Sequence, residues 1–371
     1  MKKNKICCIF NYAPHYRGPI YQLMDKKLDC DFYFGDTLDS PIKKMDYSNL
    51  SGFKKEFNTF SFFNTSFKWS NNLLNLAFKP YSVYILTGEP NVLSNWWITI
   101  FARFLNKKVF FWTHGIKTKN KQRFWWFERI FYLLPNKILL YGNAAKKNML
   151  ELGYPGHKLV VIYNSLNHEK QLKIRKRLMP TTIYIDYFGN NHPTLVYVGR
   201  LLKAKKLDQL IMAVALLNNQ GHHCNLALIG PKVDVNNIES FLTKQKLSDK
   251  VWIYGACYEE EKLGELFYNA AVCVTPGYIG LTAIHSLTYG TPSLTHDNLD
   301  EHSPEYEVIV PNKTGGFFKQ DDINDLAGTI EYWIGLDADE RKNNRTACYG
   351  IIDTYWNPSN QVKILESIIN T

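Results

Sequence analysis

The sequence has no C-x-x-C pair, no apolar run approaching 18 residues, no G-x-G-x-x-G behind a strand, and few acids in its first half. Each absence excludes a class. Seven cysteines, at 7, 8, 30, 224, 257, 273 and 348, are odd in number, and several sit inside apolar runs such as ICCIF and AVCVTP. They read as small buried residues in a reducing compartment, with no disulfide frame and no zinc site. Without a long apolar run no transmembrane helix is expected. The five apolar residues ahead of Asn11 are too short for a signal-peptide core. A cytoplasmic protein is expected, peripheral on the cytoplasmic face of the inner membrane. The missing glycine triplet disfavours an NAD enzyme. No dedicated nucleic-acid module is recognisable, so no nucleic-acid partner is expected. Asp29 and Asp31 in LDCDFYF read as a strand entrance, and no metal or cofactor is expected.

Charge is present but unevenly placed. Residues 1–180 carry 29 Lys and Arg against 11 Asp and Glu, whereas residues 181–371 carry 15 against 23. A basic half reads as a surface for phosphates or anionic lipid, or simply as a basic soluble domain. The length of 371 residues predicts two domains. Buried-type runs at 5–10, 29–35, 83–89, 108–115, 137–143 and 159–165 alternate with helical stretches. The same rhythm restarts at 194–200, 224–230, 250–256 and 272–276. Buried strand, helix, buried strand is the pattern of a doubly wound parallel sheet. The predicted layout is α/β, with a first domain over 1–178, a linker over 179–193 and a second domain over 194–354. A final helix at about 355–371 is expected to pack back on the first. In such sheets ligands bind beyond the carboxyl ends of the strands.

Four stretches carry chemistry. In VGRLLKAKKLDQLI, Arg200 and Lys205 lie at a strand-to-helix turn, where a diphosphate suits a guanidinium fork and an ammonium point charge. In PGYIGLTAIHSLTYGTP, Gly277 and Gly280 allow close backbone approach, and a helix starting just after them offers free N–H groups to an anion. His285 lies one turn inside that helix, as a packed helical histidine or as a donor to a ligand. In FFWTHGIKTKNK, His114 follows a strand end. The cations after it, including Lys121 and Arg123, precede Trp125 and Trp126, a combination suited to a membrane interface or to the exposed edge of a core helix. In NYAPHYRGPIY, His15, Tyr16, Arg17 and Gly18 occupy the first strand-to-helix loop.

Together, GRL-x-x-x-K followed by GL-x-x-x-x-S-L-x-x-GTP resembles the retaining glycosyltransferases of GT-B fold, in particular glycosyltransferase family 4. Residues 194–320 carry the resemblance, including Glu307 eight residues before Gly315. The resemblance implies two Rossmann-like domains facing across a cleft. It also implies that Arg200, Lys205, Ile279, Gly280, Leu281 and Thr282 hold the donor diphosphate, and that His114 faces the donor sugar as the catalytic-site histidine. The loop His15–Gly18 falls on the acceptor side. The family's paired glutamates fall on Gly277 and His285, a variant of that motif, and His285 takes the position that normally holds the ribose.

The expectation is therefore a retaining, metal-independent glycosyltransferase. It would move a sugar from a nucleoside-diphosphate donor, UDP in preference to GDP, to an acceptor hydroxyl. A polyprenyl-diphosphate-linked glycan of bacterial surface polysaccharide is the expected acceptor, and an anionic membrane surface a partner. A sugar-nucleotide epimerase of the same fold, or a catalytically inactive nucleotide- or glycan-binding subunit, stand as alternatives.

Overall fold

A computed structural model describes residues 5–36, 42–62, 65–116, 125–234 and 238–370. The chain forms two compact units, one of residues 1–167 with 357–371 and one of residues 168–356. In the first, seven parallel strands lie in the order Phe53–Phe57, Cys30–Gly35, Ile6–Phe10, Val83–Thr87, Lys108–Thr113, Lys137–Leu140, Leu159–Val161. Alternate residues of each strand feed opposite layers. Ile6, Cys8 and Phe10 pack with Ile20, Tyr21 and Met24 of helix Gly18–Lys27 and with Val362, Leu365 and Ile369 of the terminal helix Pro358–Asn370. Cys7 and Ile9 pack on the other face with Tyr84, Ile98 and Phe111. Both faces are covered, which is why the strands read as unbroken apolar runs and why Cys7, Cys8 and Cys30 are buried.

The second unit holds six parallel strands in the order Val251–Gly255, Asn225–Ile229, Thr194–Val198, Val272–Thr275, Ser293–His296, Gly315–Phe318. The stretch expected as a linker contains helix Ile183–Phe188, whose Tyr184 is buried in this unit's core and donates to the Leu266 carbonyl at 2.6 Å. That bond and the apolar face of the helix give residues 179–193 a packed role instead of a tether's.

In each sheet the order reverses beside one strand. In the first that strand is Ile6–Phe10, flanked by Cys30–Gly35 and Val83–Thr87. In the second it is Thr194–Val198, flanked by Asn225–Ile229 and Val272–Thr275. At such a switch point the two outgoing loops diverge and leave a crevice at the strands' carboxyl ends. The loops concerned are 11–18 and 88–92 in the first unit, and 199–206 and 276–281 in the second.

Candidate active site

The second unit's crevice is built from the two stretches singled out in the sequence. After Val198 the chain turns at Gly199, where the carbonyl oxygen lies so close to Gly230 that a Cβ there would sit 1.8 Å away. Arg200 emerges exposed, its carbonyl held by the Tyr197 hydroxyl at 2.8 Å. A single 3-10 turn, Lys203–Lys205, then leads through Lys206, in the left-handed region at φ 53°, into helix Leu207–Asn219. Lys206 is held by Asp321 at 2.6 Å, so its charge is partly spent.

Across the crevice the Gly277 N–H donates to the Lys205 carbonyl at 3.1 Å, and a Cβ on Gly277 would lie 2.5 Å from the Ala204 oxygen. The glycine is what lets the two loops touch. Lys205 reaches under Tyr278, donating to its carbonyl at 2.6 Å with the ammonium 3.3 Å from the ring centre. Burial, reinforced by the neighbouring Arg200 charge, lowers its pKa from 10.5 to about 8. The lysine is thus a cation short of counter-charge.

Helix Leu281–Thr288 starts beside it from Gly280. The Thr282 hydroxyl donates to the Val198 carbonyl at 3.1 Å, tying the helix start to the central strand. The first-turn amides of Leu281 and Thr282 have no partner within the helix, as at any helix start. Ile279 departs from its expected role. Its N–H donates to His302 Nδ1 at 3.1 Å, its carbonyl accepts from the Ser303 amide at 3.0 Å, and its side chain is buried. Its backbone N–H and carbonyl are thus both used within the protein. His302 accepts at Nδ1 and donates from Nε2 to the His296 carbonyl at 2.9 Å, so it sits as the neutral tautomer. Burial lowers its pKa to about 4, against the pull of that carbonyl.

His285 faces Glu260, with Nε2 to Oε1 at 2.8 Å. Glu260 opens helix Glu260–Tyr268 and also receives the Tyr289 hydroxyl at 2.7 Å and the Gln171 amide at 3.0 Å. Burial raises its pKa, but the hydrogen bond and charge of His285, with the donors Tyr289 and Gln171, outweigh it and bring it to about 2. The carboxylate absent from position 285 is thus present beside it, carried by another helix. Neither Glu260 nor His302 was anticipated. They stand 25 and 23 residues from the motif residues they hold, and no local spacing signals them.

In the first unit the structure brings together His114 and the loop His15–Gly18. His114 is exposed after strand Lys108–Thr113, its ring 4.6 Å from that of Tyr141. Arg17 lies over the same Tyr141 at 5.0 Å and over Trp112 at 4.9 Å. His15 is exposed, its Nδ1 3.2 Å from the Lys43 carbonyl, and its ring meets that of Tyr16 edge-on at 5.7 Å. Gly18 is buried at the head of helix Gly18–Lys27. At this sheet's switch point a cavity of about 110 Å³ is lined by Asn11, Thr59, Lys68, Thr87, Glu89 and Asn95, among others. Glu89 accepts from Asn11 at 2.7 Å, and burial raises its pKa above 4.5 although Lys68 and Asn11 oppose the rise. The polar lining was not anticipated, because its residues are scattered over 11–95.

Trp125 and Trp126 are exposed at the start of helix Trp125–Leu133. Lys121 and Arg123 lie outside the described residues.

Comparison with known proteins agrees with this architecture. Residues 187–349 match the family described as Glycosyl transferases group 1. A glycogen synthase of Francisella philomiragia subsp. philomiragia is 29% identical over 172 residues, 43% of this chain and 34% of the relative, so the match spans about a third of that protein's length. Anabaena HepE, solved in complex with UDP, superposes with a TM-score of 0.73 at 14% identity, covering 99% of this chain and 100% of that one. The lipopolysaccharide outer core galactosyltransferase WaaB, in its apo form, gives 0.67 at 17% identity over 98% and 99% of the two chains. Residues 187–349 are thus similar to the glycosyl transferases group 1 family, and the chain that carries them has the GT-B fold.

Proposed function

We propose that this protein is a retaining glycosyltransferase that takes a sugar from a nucleoside-diphosphate donor, UDP in preference to GDP. The observation that carries the reading is the junction of loops 199–206 and 277–281 at the second sheet's switch point. There an exposed guanidinium, an under-compensated ammonium and a helix start converge. A diphosphate supplies the counter-charge that burial denies Lys205, and Arg200 forks onto its oxygens. These groups stabilise the departing diphosphate without a metal. The HepE complex with UDP, in a protein of the same fold, supports the choice of uridine.

On the acceptor side, the Glu89 cavity and His114 lie beyond the carboxyl ends of the first sheet. We assign them to the acceptor and the donor sugar respectively, and the His15–Gly18 loop to the acceptor's anionic or polar groups. The acceptor we favour is a polyprenyl-diphosphate-linked glycan of surface polysaccharide assembly, met at the cytoplasmic membrane face. The leaving diphosphate takes up the proton of the attacking hydroxyl, which explains the lack of a carboxylate at Gly277.

A thermal-shift panel of UDP, GDP and their sugar conjugates tests the donor. A ligand at about 100 times its Kd adds about 2.7 kcal/mol to stability. UDP or a UDP-sugar is expected to raise the melting temperature of the wild type and to have little effect on Arg200→Ala. No shift with any nucleotide, or an equal shift in the variant, overturns the diphosphate site.

A further inference from the structure

Helix Leu93–Phe104 is turned inside out. Its buried residues are Ser94, Asn95, Ile98, Thr99 and Ala102, three of them polar. Its outward residues include Trp97, Ile100 and Phe104, the last 85% exposed. The inward polar side has a reason. Asn95 lines the Glu89 cavity and donates to the Thr87 carbonyl at 2.9 Å, and Ser94 accepts the Ser70 amide at 3.2 Å. The outward side has no such reason among the described residues, because a helix facing water carries polar groups there.

The apolar face continues beyond this helix. Phe101 links Trp97, at 4.1 Å between ring centres, to the exposed Phe78 at 5.7 Å. Trp96 packs on Phe127 at 4.4 Å, which joins the face to helix Trp125–Leu133. That helix presents Trp126, Ile130 and Leu133 outward. An exposed apolar surface of this extent marks an interaction site.

Charge identifies the occupant. Stretches 90–116 and 125–137 hold five cations, Arg103, Lys107, Lys108, Arg129 and Lys137, and one carboxylate, Glu128; all but Arg103 donate to backbone carbonyls of the protein and add only to the local positive field. Arg103 is exposed and close enough to Lys158 to lower the latter's pKa, after burial. Lys158 in turn caps the Leu133 carbonyl at 2.6 Å, and Lys79 follows Phe78. Arg103 on the same helix and Lys79 beside Phe78 are both exposed, and cations next to tryptophan and phenylalanine match an anionic bilayer interface, where rings sit at headgroup depth and cations meet lipid phosphates.

We infer that the face formed by Phe78, Trp97, Ile100, Phe104, Trp126 and Ile130 inserts into the headgroup region of an anionic membrane. This deepens the membrane part of the proposed function by naming its surface. The polar side of helix Leu93–Phe104 lines the cavity assigned to the acceptor, and its apolar side lies in the lipid. One helix then serves both ends of a lipid-linked substrate.

Co-sedimentation of the full chain with phosphatidylglycerol–phosphatidylcholine vesicles and with pure phosphatidylcholine vesicles tests it. Binding to the anionic vesicles is expected, weakened by salt and much weaker on neutral ones. Ile100→Ser with Phe104→Ser is expected to lower anionic-vesicle affinity at least about tenfold. Because these side chains point outward, the variant should keep its melting temperature and its UDP-induced shift. Arg103→Glu should weaken anionic binding with no change on neutral vesicles. No vesicle binding by the wild type, or equal binding by the folded double variant, overturns the inference. So does a wild-type dimer that the double variant dissolves, since a second copy would then own the face. The UDP shift is read separately, so a failure of the donor reading is distinguishable from a failure here.

Discussion

Replacing Lys205 by Met should make the protein more stable and unable to hold its donor. The lysine's pKa falls from 10.5 to about 8, chiefly through burial and secondarily through Arg200. At about 1.4 kcal/mol per tenfold change in proton affinity, the fold disfavours the charged form by about 3 kcal/mol. Methionine keeps the unbranched stem beneath Tyr278 but gives up the hydrogen bond to the Tyr278 carbonyl, worth about 1 kcal/mol. The expected net gain at pH 7 is about 2 kcal/mol, or about 4–8 °C for a unit of this size. The pH dependence identifies the cause. The folded pKa lies below the unfolded one, so the unfolded chain binds more protons between pH 8 and 10.5, and wild-type stability rises across that window. The variant's advantage should be complete below pH 8, vanish at about pH 9.5 and turn into a deficit of about 1 kcal/mol by pH 10.5. Thermal unfolding of both proteins at pH 7 and pH 9.5, with UDP titrations alongside, measures this. A variant destabilised at pH 7, or a gain independent of pH, refutes the buried-cation argument. Normal UDP affinity in the variant refutes the lysine's role in the site.

The Glu260 carboxylate, held near 2, contributes stability that is present above pH 4.5 and lost as pH falls through 2, about 3 kcal/mol in full. Glu260→Gln should cost about 1–3 kcal/mol at pH 7 and flatten that part of an acid-unfolding curve; an unchanged curve would remove the His285–Glu260 pair from the stability argument. His302, lowered to about 4, takes up its proton more readily in the unfolded chain, so stability should fall by about 3 kcal/mol between pH 6.5 and 4. Over the same range nucleotide affinity should drop, because a proton on Nδ1 ends its bond to the Ile279 amide; a flat affinity profile in calorimetry would show that His302 does not set the loop. Glu89→Gln should lower transfer about tenfold or more while leaving the UDP-induced thermal shift within error, and an equal loss of UDP binding would move the cavity out of the acceptor role.

Much of the scaffold is legible because parallel strands covered on both faces are continuous apolar runs. Strand Ile6–Phe10, ICCIF, is buried throughout and announces itself. Strand Phe53–Phe57, FKKEF, does not. It lies at the sheet edge, has only Phe57 buried, and carries the charges that protect an edge from further pairing. Helices Ile323–Gly335 and Ala338–Thr354 were also passed over, although Asp322 caps the first and Asp337 with Glu340 forms a reciprocal cap on the second. Helix Leu93–Phe104 shows a limit of a different kind. Its apolar period is visible in the sequence, but periodicity does not say which side faces the core, and here the small polar residues do.

The site divides along the same line. Local features are legible, so the strand-to-helix turn at Arg200 and Lys205 and the helix that starts after Gly280 stand where the sequence pattern puts them. The resemblance leads one to expect glutamates at 277 and 285, and the packing gives a physical account of the residues found there instead. At 277 there is no space for any side chain, because the Lys203–Lys205 turn lies against the glycine with the Lys205 Cα 2.8 Å from where a Cβ would be. The contact that brings the ammonium beneath Tyr278 is the same contact that excludes a glutamate. At 285 the histidine is held by a buried carboxylate on the neighbouring helix, so negative charge remains next to the helix that starts at Leu281. Gly277 and His285 both leave the cations and the helix start in place, the kind of groups that stabilise a departing diphosphate. Lys205, half-buried beneath Tyr278 with its pKa lowered to about 8, is a cost to the fold that an anion bound beside it would offset.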